Sequence, residues 1–271
     1  MPEITANGLR FSIVDEGAGD PVIFLHGFPD TAYVWRHQIA ALTAAGFRAI
    51  APDLRGRGKS ERPARVEDYA LPAIVADVAA MMDTLGMARA HIVGHDWGAA
   101  LAWFFATRHP ERVDHLVVIS VGHPSARGEP SLDELQKGWY RLLFQFPNAE
   151  EIVQRNDWYL MRTLLQGGGD TERYVADLSE PGALTAALGW YRANMPPDRL
   201  AAPPPQLPPI QAPTLGVFSS GDLYLTEDAM MRSGQFVAGP WRYERIEGVS
   251  HWVPVEAPDH LNRLLLDFLR G

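Results

Sequence analysis

The sequence predicts an α/β fold in which a mostly parallel sheet is wrapped by helices and the chain detours once through an inserted helical cap. Two observations carry this. Short apolar runs bounded by turn residues recur, and their continuous hydrophobicity suits parallel strands buried on both faces. Helical patterns alternate with these runs, as parallel strands joined by crossover helices require. In order, PVIFLHG (21–27), FRAIAPD (47–53), AHIVGHD (90–96) and HLVVISV (115–121) read as strands, and residues 31–45, 72–85 and 98–109 as helices. After residue 121 the rhythm breaks. About eighty residues rich in Trp, Tyr, Leu and Met are helical in pattern and hold no convincing buried strand. They end in AAPPPQLPPIQAP (201–213), whose prolines lack amide donors and favour extended backbone, suiting a stiff return to the sheet. TLGVFSS (214–220) and WRYERIEG (241–248) resume the strands, and an amphipathic helix over 258–270 closes the chain. The expected core is therefore 1–123 with 211–271, and the cap 124–210.

Composition narrows the function. A chain of 271 residues, 46% hydrophobic and 21% charged, buries enough core for a catalyst, and its net charge of -9 argues against nucleic acid as a partner. The absence of cysteine excludes disulfides and thiol nucleophiles, and identifies no compartment. The N-terminus has no basic segment followed by an apolar one, and no eighteen apolar residues run together. A soluble, cytoplasmic protein with no membrane contact is expected, and a homo-oligomer is left open.

The stretch GHDWG (94–98) closes a strand and opens a helix. A Gly-x-nucleophile-x-Gly turn of this kind projects its central residue above a sheet, and that residue is Asp96 where many enzymes carry serine. On its own the pentapeptide is equally a helix N-cap beside a core histidine. Its partners decide. In such an arrangement the triad runs nucleophile, acid, histidine along the chain. Asp222, in SSGDLYLTE, and His251, in EGVSHWVP, occur in that order, each just beyond an expected strand. Glu227 and Asp228 are rival acids in the following helical segment, where a solvated or capping role suits them better. HGFPD (26–30) follows the first strand and supplies His26, Gly27 and Pro29 around Phe28. Its use would be to aim the Phe28 N–H, with that of Trp97, at a developing oxyanion, each donor worth roughly 2.7 to 4 kcal/mol.

A carboxylate with an ordinary pKa of about 3.9 is already ionised at neutral pH and needs no base for its first attack. It is a poor reagent for amides but can displace a leaving group from saturated carbon, forming an alkyl ester. His251, oriented by Asp222, would then activate water against that ester. Epoxide opening and carbon–halogen cleavage both fit.

HGFP, GHDWGA, SSGDLYLTE, GVSHWVP and the DLRGRGKSERP loop (53–63) together resemble the epoxide hydrolases of the α/β-hydrolase fold, over essentially the whole chain. Haloalkane and fluoroacetate dehalogenases share most of these motifs. The cap separates them, because an opening epoxide leaves as an alkoxide that needs hydroxyl donors, whereas a halide takes no proton and needs N–H donors. KGWYRLLFQFP (137–147) and LGWYRANMP (188–196) resemble the cap segments that bear the two tyrosines of epoxide hydrolases, which implies that role for Tyr140 and Tyr191. The resemblance implies a small apolar epoxide and water as substrates and no cofactor. Haloalkane dehalogenation, with Trp97 as one halide donor, is the enzymatic alternative, and a non-catalytic ligand-binding relative a third.

Tyr159, Tyr174 and Tyr224 are assigned to packing, and Trp139, Phe144, Trp158, Met161, Leu164 and Leu165 mostly to the cap core. GRGKS (56–60) lacks the first glycine of a phosphate loop. His26, His95 and His123 have no spacing that would put two imidazoles on one ion, so no metal is expected. QGGGD (166–170) reads as a break between cap helices.

Overall fold

Alternate residues of the central strands turn to opposite faces of one sheet, and each face is covered by its own helices. The structure is a computed structural model describing residues 2–165, 168–200 and 202–271. In chain order it contains β1 (Glu3–Ala6), β2 (Leu9–Gly17), β3 (Pro21–Leu25), α1 (Arg36–Ala44), β4 (Arg48–Pro52), α2 (Leu71–Thr84), β5 (Ala90–His95), α3 (Trp97–Arg108) and β6 (Val113–Ile119). Five helices follow: α4 (Leu132–Lys137), α5 (Trp139–Leu143), α6 (Ala149–Leu164), α7 (Thr171–Ser179) and α8 (Ala183–Asn194). The chain then returns through β7 (Thr214–Ser219), α9 (Asp228–Arg232), β8 (Trp241–Ile246), α10 (Val253–Glu256) and α11 (Pro258–Arg270). The sheet order is β1-β2-β4-β3-β5-β6-β7-β8, parallel from β4 to β8 and antiparallel at β1–β2 and β2–β4.

Val22 and Phe24 of β3 point to the face covered by α1 and α11, where Leu42, Leu261, Leu264 and Leu265 meet them. Ile23 and Leu25 point the other way, onto α2 and α3. The leucines of α11 recur at i, i+3, i+4 and i+8, which gives the single apolar stripe such a helix needs. Every residue of β5 and of β7 is buried, as their unbroken hydrophobicity requires.

The β1–β2 hairpin has no counterpart in the expected strands. Asn7 and Gly8 both take positive φ, 47° and 76°, the two-residue turn that Asn-Gly favours because its twist matches that of the flanking strands. Tyr159 and Trp139, expected to pack, are 66% and 46% exposed. Both lie on the outer side of their helices, a distinction that an aromatic-rich composition does not carry. Tyr174, Tyr224, Phe144, Trp158, Met161 and Leu165 are buried. Gln166 and Gly167 of the expected break, and Ala201 of the proline-rich return, lie outside the described residues. Among the described residues no helix is long and apolar enough to cross a membrane.

The loop after β4 is tied down by a buried ion pair. Arg55 donates from Nε and Nη2 to both Asp77 oxygens at 2.7 and 2.6 Å, and Asn7 adds a third bond to Asp77 at 2.8 Å. Removing one partner strands a buried charge, so Asp77→Ala is expected to cost about 3–5 kcal/mol of unfolding free energy, read from the urea midpoint. A midpoint equal to wild type would show that Arg55 is held equally well without it.

Candidate active site

β5 delivers Asp96 at a turn whose backbone is itself a signature. Asp96 has φ 54° and ψ -121°, a conformation that side chains other than glycine rarely adopt, before α3 begins at the next residue. Close packing holds the turn. A Cβ on Gly98 would lie 1.9 Å from the Leu25 carbonyl oxygen, and one on Gly27 would lie 2.3 Å from the Asp96 Cβ. The two flanking segments can therefore approach the carboxylate only as glycines.

The loop after β3 supplies the donors. His26 accepts from the Leu54 N–H at Nε2, 3.0 Å, and donates from Nδ1 to the Gly27 carbonyl, 3.0 Å. Burial, then the Arg57 charge, lower its pKa to about 3, so it is a neutral brace with its proton on Nδ1. Braced this way, the Phe28 N–H donates to Asp96 Oδ1 at 2.7 Å, and the Trp97 N–H also supports the carboxylate. The Phe28–Pro29 bond is cis. Burial raises the Asp96 pKa, opposed by His251 and by these two N–H groups.

Asp222 follows β7 and accepts the Tyr224 and Leu225 N–H groups at Oδ1, 2.8 and 3.0 Å, leaving Oδ2 for His251 Nδ1 at 2.7 Å. Burial would raise the Asp222 pKa, but His251 and these donors hold it below the ordinary range. His251 Nε2 lies 3.7 Å from Asp96 Oδ2. Burial lowers the His251 pKa, and the Asp222 charge and hydrogen bond overcome this and raise it to about 9. The ring is clamped by His95, 4.6 Å centroid to centroid, and by Tyr224 and Trp252, each at 5.3 Å.

Tyr140 on α5 and Tyr191 on α8 are brought to the same place, their rings 6.0 Å apart and edge to face. Tyr191 also packs edge-on against Trp97 at 5.2 Å and Phe28 at 5.4 Å. Burial first, and the Asp96 charge with it, raise both phenol pKa values, which keeps them protonated as donors. Asp96, Trp97, Tyr140 and Tyr191 share a cavity of about 610 Å³ with apolar walls that include Phe104 and Leu142.

All ten residues singled out in the sequence thus lie in one neighbourhood. Two were missed. Asp30 and Arg57 are buried beside them, with Arg57 5.4 Å above the Phe28 ring and bonded at 3.1 Å to the Asp30 carbonyl. Both fall inside motifs already noticed, HGFPD and GRGKS, but a charged residue in a loop gives no sign in sequence that it is buried. His95 and His123 have structural partners, the His251 carbonyl at 2.9 Å and the Ser125 N–H at 3.2 Å. Glu227 binds Tyr243 and Arg245, away from His251.

Comparison with known proteins places this arrangement in a family. The alpha/beta hydrolase fold family matches residues 20–258. Epoxide hydrolase 3 of Xenopus tropicalis is 33% identical over 97% of this chain and 76% of its own. Epoxide hydrolase A of Mycobacterium tuberculosis is 32% identical over 99% and 96%. Among solved structures, one of the epoxide hydrolases from metagenomes of hot environments superposes with a TM-score of 0.89 at 30% identity, covering 100% of this chain and 98% of its own. A Bacillus megaterium epoxide hydrolase solved with an inhibitor superposes with the same TM-score at 26% identity, covering 100% of both chains. The chain belongs to the alpha/beta hydrolase fold family, among its epoxide hydrolases.

Proposed function

We propose that the protein hydrolyses an epoxide to a vicinal diol through an alkyl ester on Asp96. The observation that carries this reading is the Asp96 carboxylate itself, one oxygen held on the Phe28 N–H, the other facing His251, with two protonated tyrosines in the same cavity. Oδ1 is engaged, so Oδ2 attacks an epoxide carbon. The carbon–oxygen bond of the ring breaks, and Tyr140 and Tyr191 donate to the departing oxygen. His251 then takes a proton from water as the water oxygen adds to Asp96 Cγ. Negative charge moves onto Oδ1, where the Phe28 and Trp97 N–H groups stabilise it. Collapse breaks the Cγ–Oδ2 bond, and the departing diol oxygen takes the proton from His251; the water's second proton, left on the new Asp96 carboxyl, is released as the carboxylate re-forms and restores the tyrosine that protonated the epoxide oxygen.

The two steps are coupled through charge. The Asp96 carboxylate is one of the charges that raise the His251 pKa. Esterification removes that charge, so His251 becomes a more available base once it has something to hydrolyse.

Residues 124–210 act in this reading as a cap. They carry both tyrosines, and the Trp190 indole N–H bonds the Arg55 carbonyl at 3.0 Å, so the segment is fastened to the loop after β4. A small apolar epoxide and water are the substrates. The two protonated tyrosines on the cavity that holds Asp96 favour this reading over dehalogenation, since a phenol can give a proton to a departing alkoxide whereas a halide takes none. An epoxide panel scored for diol, with halide release from chloro- and bromoalkanes measured on the same enzyme batch, tests it. Diol without halide is expected. Halide without diol would replace the reading with dehalogenation, and ligand binding with no consumption of either would leave a binding protein.

A further inference from the structure

Asp222 sits on a loop that is held from two sides. From within, its own Oδ1 accepts the Tyr224 and Leu225 N–H groups at 2.8 and 3.0 Å. From without, a single side chain far away in sequence takes the carbonyls at the two ends of the same stretch. Lys137, the last residue of α4, donates from Nζ to the Asp222 carbonyl at 3.0 Å and to the Leu225 carbonyl at 3.1 Å, with Asp133 one turn back at 3.6 Å. Lys59 and Lys137 are the only lysines among 24 basic side chains. Arginine's planar fork suits carboxylates, whereas a compact ammonium with rotatable donors suits two carbonyls that converge on one point. Two further contacts bind this loop to the segment that carries the tyrosines. The Tyr224 hydroxyl donates to the Leu164 carbonyl at the end of α6, and the Tyr224 ring meets Tyr140 edge to face at 6.1 Å. The same ring packs against His251 at 5.3 Å.

We propose that Lys137 is a positioning residue for the hydrolytic step: by gripping the Asp222 and Leu225 carbonyls it aims the Asp222 carboxylate at His251, so that the base is aligned only while the segment bearing Tyr140 and Tyr191 is seated on the sheet. The inference rests on the reading of Asp96 and His251 given above and links its two halves. Lys137 and Tyr140 stand three residues apart, so the stretch that donates to the opening epoxide also sets the acid that orients the base. Asp222 reaches His251 through Oδ2, at 2.7 Å, and a small displacement of the loop is enough to spoil that bond. The charges that act on His251 are those of Asp222, Asp96 and Asp30, with His95, kept neutral by burial, against its ring. Lys137 acts through Asp222, and this fixes a sign. When the loop loosens, the Asp222 charge and hydrogen bond that raise the His251 pKa weaken, and the pKa falls. Loss of a merely neighbouring positive charge would move it up.

The test is Lys137→Met, which keeps the length of the stem and removes the donors. Single-turnover kinetics with styrene oxide, followed by tryptophan fluorescence and quenched-flow mass, separate formation of the alkyl-enzyme from its breakdown. Formation is expected within about threefold of wild type and breakdown slower by roughly tenfold to a hundredfold, the scale of a misplaced catalytic group. The acid limb of the breakdown rate should move to lower pH. Lys137→Arg, which restores charge and donors, should recover part of the rate and return the limb towards its wild-type place, and Lys137→Gln serves if the methionine variant fails to fold. A limb that moves to higher pH would make Lys137 a neighbouring charge, and an unmoved limb with only a lower thermal midpoint would make it a fastener of the fold. Either result overturns the proposal, as does breakdown at the wild-type rate, and each leaves the alkyl-enzyme reading intact. Wild type that consumes styrene oxide without forming any alkyl-enzyme sinks that reading instead.

Discussion

Replacing His251 with alanine is expected to lower steady-state diol formation by on the order of 10⁴-fold while leaving the first covalent step in place. The asymmetry follows from geometry. Attack by Asp96 needs only its own ionised oxygen and the two tyrosines, whereas breakdown of the ester needs a base. His251 is the imidazole whose Nε2 faces Asp96 Oδ2, at 3.7 Å, with its Nδ1 held by Asp222 at 2.7 Å. After mixing with styrene oxide, the intact mass of His251→Ala should therefore rise by one substrate and stay there. An unchanged mass, with wild type turning over the same epoxide, would refute the covalent mechanism. The pH dependence carries a second mark. Breakdown requires neutral imidazole, so in wild type its rate should climb with pH through the His251 pKa of the alkyl-enzyme. That value should lie below the roughly 9 of the free enzyme because Asp96 has lost its charge. Alkyl-enzyme formation needs ionised Asp96 and should instead fade at acid pH, through a pKa that burial has raised.

The double substitution Tyr140→Phe with Tyr191→Phe is expected to slow alkyl-enzyme formation by on the order of 10³-fold, with each single change losing less because one donor remains. The rings stay, so the edge contacts with Phe28, Trp97 and Phe144 stay, and the thermal midpoint should change little. Only the hydroxyl protons are removed. An epoxide oxygen leaving as an alkoxide depends on them. A halide does not, so any carbon–halogen cleavage by the enzyme would survive the double change. Diol formation within about threefold of wild type in the double variant would remove the tyrosines from the mechanism.

Much of this site can be read in the sequence because its elements announce themselves locally. GHDWG places a carboxylate between a strand and a helix, and Gly94 and Gly98 are needed there since a Cβ at either would strike backbone. Asp222 and His251 stand just past expected strands, so the side on which the strands end brings them together once the sheet is parallel. The N-terminal hairpin carries the Asn7-Gly8 turn signal, but β1 is a four-residue edge strand and β2 is buried only over part of its length, a weaker pattern than the continuous runs of β3, β5 and β7. The pairing of Tyr140 with Tyr191 is of another kind. Fifty residues lie between them, and no local periodicity links α5 to α8.

By itself the sequence marked the central strands and helices, the detour after β6 and the candidates for nucleophile, acid and histidine. Each of these rests on patterns a few residues long, set by side-chain period and turn chemistry. Only the tertiary structure decided that Asp96 Oδ1 is already held while Oδ2 faces His251, that Tyr191 packs edge-on against Trp97, and that Asp30 is a buried carboxyl beside Arg57. Those facts depend on burial and on distances between segments far apart in the chain, and a charged residue reads the same in sequence whether it ends in water or in the core.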